Sequence, residues 1–464
     1  MHTSSHALAR LLGDWSTGPG PAHRRLADLI RLLILDGRLP LATTMPGERD
    51  LAAVLGISRT TVSTAYAALH EQGYLSARAR SRSRTRVPPG AGSQPEPGAT
   101  GRDLIDFSHA APPAPGEALH RAYRRALDQL PRHLPRHGYS QLGLAELRTA
   151  IARRYADRGL ATTPDQILIT NGAQHALGLI ARTLLRPRSR VVVDHPTYPH
   201  ALQVFRSAGC RIVPVPVTDT GWDVDSLSAA TRGATMAYLL PDFHNPTGLC
   251  LPERDRAELR LGCPVVVDET MAELALDVDP PVPLAAHHAG VISIGSAAKT
   301  FWGGLRVGWV RTDADLVQQL GQARAGTDLG TPVVEQLACV ELLGEIDRLL
   351  PDRLADLRLR RALLLDLLAE RLPDWTITPS AGGLSVWARL PQPTSSALAA
   401  VAPQFGVRLA AGPRFGIGGA FERFVRLPYS LDAAEMTAGI DGIAEALAAV
   451  RAGRRADTPP AALA

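Results

Sequence analysis

Six apolar, largely β-branched runs, at 166–170, 190–194, 211–217, 235–240, 264–268 and 291–295, constrain this 464-residue chain more than any other feature. They alternate with helical stretches. Buried strands joined by helices make a mostly parallel sheet with helices on both faces. From about residue 332 onward, long helical patterns followed by shorter strands predict a second, α+β subdomain.

A different unit precedes that alternation. Pro88-Pro89-Gly90-Ala91-Gly92-Ser93-Gln94-Pro95-Glu96-Pro97-Gly98 has no periodicity, no apolar anchor and many helix breakers, which marks a linker and a domain boundary. Residues 1–87 hold 12 Arg against 6 Asp and Glu, whereas the remainder holds 38 Lys and Arg against 39 acids. A basic small domain beside a near-neutral large one points to a polyanionic partner for the small one. The four cysteines are scattered without a CxxC pair, so neither a zinc site nor a disulfide framework is indicated, and no metal is expected. No run of about 18 apolar residues and no basic segment leading into an apolar signal core occurs, so the expected location is the cytoplasm, away from membranes.

In the basic unit, Leu26, Leu29, Ile30 and Leu33 recur at helical spacing until Gly37-Arg38-Leu39-Pro40. Pro46-Gly47 opens a short second helix with Leu51, Val54 and Leu55 inside, and Gly56 turns the chain. Ser58 then caps a third helix in which Val62, Ala65, Tyr66 and Leu69 face inward. This is a helix-turn-helix, whose second helix enters the major groove with its first residues, here Arg59, Thr60 and Thr61. Downstream, Arg78, Arg80, Arg82, Arg84 and Arg86 alternate with small residues, and in a strand that alternation puts the arginines on one face as a wing for phosphates or the minor groove.

With Glu48-Arg49-Asp50-Leu51-Ala52, Leu55-Gly56-Ile57-Ser58-Arg59-Thr60-Thr61-Val62 and Gly73-Tyr74-Leu75, residues 22–87 resemble the GntR family of winged-helix regulators. The resemblance implies contacts with double-stranded DNA from Arg49, Arg59, Thr60 and Thr61, with Ser58 at the helix start and Arg80, Arg82 and Arg84 on the wing. Two positions depart from the family's pattern. Gly47 stands where a capping Ser is common, and the wing has no glycine tip.

The larger unit contains the chain's one lysine, Lys299, against 49 arginines. Arg stays protonated, whereas a lysine in a suitable site loses its proton and forms a Schiff base with a carbonyl. Lys299 follows the last buried strand at once, in Ser296-Ala297-Ala298-Lys299, ahead of Gly303-Gly304-Leu305-Arg306. Groups for holding a carbonyl cofactor occur along the chain in order. Asn171-Gly172 leads into a helix at Ala173-Gln174, a cradle for phosphate. Tyr198 follows a strand, in reach of a flat ring. Asn245, in His244-Asn245-Pro246-Thr247-Gly248, offers an amide to a phenolate oxygen. Asp268 ends an apolar strand where open sheets bind ligands, and a carboxylate there keeps a pyridine nitrogen protonated. Ser296 and Arg306 flank Lys299 and complete the phosphate site. Taken singly, each has an ordinary structural explanation as a turn, a core aromatic or a surface ion pair.

The ordered set resembles the fold-type I pyridoxal 5'-phosphate (PLP) enzymes of the aminotransferase class, over roughly residues 104–450. That resemblance implies an α/β transferase-like large domain with a smaller α+β subdomain, Lys299 as the Schiff-base lysine, Asp268 as partner of the pyridine nitrogen and Asn245 as donor to the 3' oxygen. It further implies Tyr198 as stacking ring and Ala173, Gln174, Ser296 and Arg306 around the phosphate. Tyr139 would reach the phosphate of a neighbouring subunit, hence a homodimer, and Arg426 would grip an amino acid's carboxylate. Two departures stand out. Thr270 and Met271 occupy positions where relatives supply a tyrosine, and Ala173 replaces a common Ser.

A winged helix-turn-helix joined to an aminotransferase-like domain resembles the MocR subfamily of bacterial regulators. The division expected is a DNA-binding domain at 1–87, a linker at 88–103, a PLP-binding domain at 104–450 and a disordered tail at 451–464. Function is expected to be transcription regulation, the large domain sensing PLP or an amino-acid-like effector and dimerising the protein. The alternatives are a working aminotransferase and a relic scaffold that binds no cofactor.

Overall fold

The computed structural model of the protein describes residues 2–13, 15, 21–76, 83–88, 104–378 and 380–452. Arg80, Arg82, nearly all of the expected linker and the expected tail from residue 453 lie outside these.

The amino-terminal unit contains the three expected helices, Ala22–Leu35, Glu48–Leu55 and Arg59–Glu71. Gly56 ends the second in the left-handed conformation (φ +67°), and Ser58 Oγ accepts the Thr61 N–H at 3.1 Å to start the third. Gly47 supplies no side-chain cap to the second. Leu26, Ile30, Leu51, Val62 and Leu69 form a core from which water is excluded. The strands Leu75–Ser76 and Arg84–Thr85 pair antiparallel, as a wing requires, with Thr85 buried and Arg84 exposed. An additional helix, Ser5–Leu12, was not anticipated. It is capped by Ser4 and places Leu8 and Leu12 in the same core. Just beyond it, Gly13 lies against Gly419 of the large unit, so close that a Cβ on Gly419 would stand 2.8 Å from Gly13 Cα.

All six expected strands are present, in a sheet of eight. In spatial order they begin at residues 167, 308, 291, 265, 236, 190, 211 and 221. The five from 291 to 211 run parallel, and the order reverses between the strands at 190 and 236, which places a topological switch point at their carboxyl ends. The strand Gly308–Arg311 was not anticipated. It runs antiparallel between the strands at 291 and 167, and only glycine fits at 308, where a Cβ would lie 2.5 Å from the Gly172 carbonyl carbon.

The smaller domain is a four-stranded antiparallel sheet in the order 376, 385, 424 and 410, packed with the long helix Ile346–Arg371 and the last helix Ala433–Arg451. Its boundary differs from the expected start near residue 332. The helix Val333–Gly344 belongs to the large domain, because Leu337, Cys339 and Leu342 pack against Leu147, Ile151 and Tyr155. Conversely, Ile105–Asp106 pairs in parallel with Val407–Arg408 and brings Phe107 into the small-domain core. No described helix is long and apolar enough to cross a membrane.

Candidate cofactor and effector site

At the carboxyl ends of the parallel strands a cleft of about 210 Å³ opens between the two domains. The strand Val291–Ser296 delivers Lys299 into it, since Ser296 Oγ accepts the Ala298 N–H at 3.1 Å and starts the short helix Ala297–Thr300. The ammonium donates to the Ala110 carbonyl at 2.5 Å. Burial, reinforced by the nearby Arg426 and opposed by Asp268, pushes the lysine pKa down to about 8. An ordinarily inert ammonium is thereby brought near its titration point at neutral pH.

Asp268 is fixed from two sides. Tyr238 donates its hydroxyl to Oδ2 at 2.7 Å, and Thr270 donates both its hydroxyl (2.7 Å) and its N–H (3.1 Å) to Oδ1. Thr270 therefore acts on the carboxylate, while Met271 is buried in the small-domain core. Tyr238 was missed in the sequence, where it reads as one more apolar residue of a buried strand. Asn245 Oδ1 accepts from Arg426 Nη1 at 3.4 Å, and its Nδ2 has no partner among the described residues.

The anion cradle is built from backbone. Gly172 adopts φ +89° and caps the helix Ala173–Leu184, whose first N–H groups face the cleft at Ala173 and Gln174. Arg306, itself left-handed at φ +51°, lays its guanidinium over Gly172 and donates to the Asn171 carbonyl at 3.0 Å. A Cβ at 172 would stand 2.7 Å from Arg306 Nη2, so the arginine can approach only a glycine. Ser296 lines the cleft, although its hydroxyl is engaged with Ala298 and with the Val307 carbonyl at 3.3 Å. Tyr198 presents its ring at the start of the helix Pro199–Ser207. Burial and the charge of Asp268 raise its pKa to about 12, which keeps the phenol neutral.

Arg426, 5 % exposed, donates to the Ser108 carbonyl and lies 5.2 Å above the Phe415 ring. Burial and the neighbouring Arg414 lower its pKa to about 10, so it stays charged. Arg414, His109 and His200 also line this cleft and were missed in the sequence, where no motif distinguishes them. Of the residues expected around the cofactor, only Tyr139 lies elsewhere. It is 64 % exposed, in a shallow depression with His137, Leu329 and Val333.

These donors fit PLP: an amine, an anion cradle, a fixed carboxylate, an aromatic face and an amide with an unengaged N–H converge on one cleft. Among the described residues no cluster able to hold a metal occurs.

On the amino-terminal unit Arg49, Ser58, Arg59 and Thr60 are exposed. Arg49 has no ion-pair partner among the described residues, whereas Arg59 Nε lies 3.2 Å from Glu48 Oε2. The Ser58 and Thr61 hydroxyls are 2.9 Å apart and serve the cap.

Residues 102–443 match the family model described as aminotransferase class I and II, and residues 22–87 match that of bacterial regulatory proteins of the gntR family. The HTH-type transcriptional regulator TauR of Rhodobacter capsulatus is 29% identical, over 93% of this chain and 97% of its own. The probable rhizopine catabolism regulatory protein MocR of Rhizobium meliloti is also 29% identical, over 80% and 82%. Among solved structures, LysN, the alpha-aminoadipate aminotransferase of Thermus thermophilus, superposes with a TM-score of 0.69 at 29% identity, covering 76% of this chain and 94% of that one.

Proposed function

The chain belongs to the aminotransferase class I and II family, and on that premise we propose that it is a PLP-dependent, DNA-binding transcription regulator. The observation that carries the reading is that a cleft fitted for PLP continues, in one chain, into a gntR-type helix-turn-helix. Two regulators resemble the chain over 80% and 93% of its length. The division proposed is DNA binding by 1–87, a linker at 88–103, cofactor and effector binding by 104–450, and a tail at 451–464.

When bound, PLP supplies an aldehyde that condenses with amines and a pyridinium ring that withdraws electrons. Lys299 holds the cofactor through its amine. Asp268, oriented by Tyr238 and Thr270, retains the proton on the ring nitrogen, and Asn245 donates to the 3' oxygen. Tyr198 covers the ring face. Ala173, Gln174, Ser296 and Arg306 receive the phosphate, joined by Tyr139 from the second subunit of a homodimer. Arg426 takes the carboxylate of an amino-acid-like effector. Occupancy of the cleft then changes the placement of two winged helices on a two-half-site operator, contacted through Arg49, Ser58, Arg59, Thr60, Thr61 and the wing arginines Arg80, Arg82 and Arg84. A regulator of this kind works where the DNA is, in the cytoplasm.

The direct test is the visible absorption spectrum of protein mixed with PLP, beside Lys299→Ala treated identically. The expected result is a band in the parent that borohydride removes and the variant lacks. Identical spectra from the two proteins would refute the role given to Lys299.

A further inference from the structure

Four cationic side chains, Lys299, Arg306, Arg414 and Arg426, face the cleft, together with two carboxylates, Asp242 and Asp268. Both acids are committed. Asp242 receives Arg256 at 2.6 Å, and Asp268 receives Tyr238 and Thr270. Of the cations, Lys299 and Arg306 are accounted for by the aldehyde and the phosphate of PLP. Two guanidiniums remain.

Neither of them forms an ion pair with a carboxylate among the described residues, although the charge of Asp106 acts on Arg426 from farther off. Among the described residues Arg426 bonds only to neutral oxygens, of Asn245 and Ser108, and its buried Nε has no hydrogen-bond partner. Arg414, half-buried in the one-turn helix Gly412–Phe415, makes no hydrogen bond or ion pair among the described residues. The two are near enough that the charge of Arg414 depresses the Arg426 pKa. His200 lines the same wall. Burial and then Arg414 hold its pKa below the ordinary value, so at neutral pH it adds a neutral imidazole and no third charge. His109 is likewise engaged, with Asp106 at 2.7 Å.

We propose that the effector of this cleft is an amino acid with a second carboxylate, held at one carboxylate by Arg426 and at the other by Arg414. The proposal rests on the reading that the cleft receives an amine at Lys299. Two like charges sharing a partly dehydrated cleft repel one another, and each guanidinium fork matches one carboxylate in two parallel hydrogen bonds. A monocarboxylic amino acid satisfies one and leaves the other desolvated and unpaired, at a cost a dicarboxylate avoids. Arg414 is on this account the residue that sets specificity, while Arg426 serves any amino acid.

Isothermal titration calorimetry on the PLP-loaded full-length protein tests this. L-Aspartate, L-glutamate and L-2-aminoadipate are compared with L-asparagine, L-glutamine and L-norleucine. At least one diacid is expected to bind about ten- to hundredfold more tightly than its counterpart lacking the second carboxylate. Arg414→Gln should erase that margin with the counterpart still bound, and Arg414→Lys should retain part of it. Equal affinities across the pairs in the parent, or a margin that survives in Arg414→Gln, would overturn the assignment while leaving the amine site intact. Binding of none of the six would remove the amine site itself, and this proposal with it.

Discussion

Tyr238 donates its hydroxyl to Asp268 Oδ2 at 2.7 Å, from the neighbouring parallel strand, with both groups buried. One carboxylate oxygen is thus fixed by a strand and the other by Thr270, so the acid is aimed before any ligand arrives. Tyr238→Phe keeps the ring and removes the donor. Loss of one hydrogen bond to a charged group is worth roughly 1.5–3 kcal/mol, so PLP affinity should fall at least tenfold, measured by quenching of tryptophan fluorescence. An unchanged affinity would show that Asp268 needs no such orientation.

The rate of PLP capture should depend on pH through Lys299. Its pKa is pushed down to about 8, and the neutral amine is the reactive form. Capture therefore accelerates as pH rises through about 8 and levels off above it. In Arg426→Gln a neighbouring positive charge is gone, the lysine pKa rises, and the midpoint moves to higher pH. Stopped-flow absorbance reads both, and a profile flat from pH 6.5 to 9.5 in the parent contradicts the assignment.

At the DNA-facing surface Arg59, 59 % exposed, is paired with Glu48. An exposed pair of this kind is worth about 0–1 kcal/mol, so Glu48→Gln should leave the unfolding midpoint nearly unchanged. Removing a negative charge beside the recognition helix should leave DNA affinity equal or raise it, whereas Arg59→Ala should lower it about tenfold and reduce its salt dependence. Gel-shift titrations on DNA from upstream of the gene separate the two variants. Full affinity in Arg59→Ala would remove that helix from the interface.

The contact of Gly13 with Gly419 joins the DNA-binding unit to a loop that also reaches the cleft. The Ile417 N–H donates to His195 Nε2 at 3.0 Å, three residues before Tyr198. Gly419 has φ +83° and no room for a Cβ, so Gly419→Val must displace one backbone from the other. The variant is expected to retain the PLP absorption band while the effect of PLP on DNA affinity shrinks severalfold. A full response in this variant would exclude the contact as a coupling element.

Much of this architecture was legible because strands buried on both faces leave uninterrupted apolar runs, and because Lys299, Asp268 and Asn245 each sit at the end of such a run or in a distinctive turn. The strand Gly308–Arg311 left no such trace: its burial alternates, and it follows a glycine-rich turn. Helix Val333–Gly344 falls on the other side of the expected domain boundary because an apolar helix does not announce which core it enters. Tyr238 and Arg414 were silent for a related reason. The first meets its partner 30 residues along the chain, and the second acquires meaning only when a loop folds it beside Arg426.

Fluorescence anisotropy of a labelled duplex from the upstream region, titrated with parent and Lys299→Ala in the presence and absence of PLP, tests the central claim most directly. The account predicts that PLP changes the Kd of the parent about tenfold, which corresponds to ~1.4 kcal/mol of coupling, and leaves that of the variant unchanged. A parent that shows the PLP absorption band yet binds the duplex with the same Kd in both conditions would contradict it.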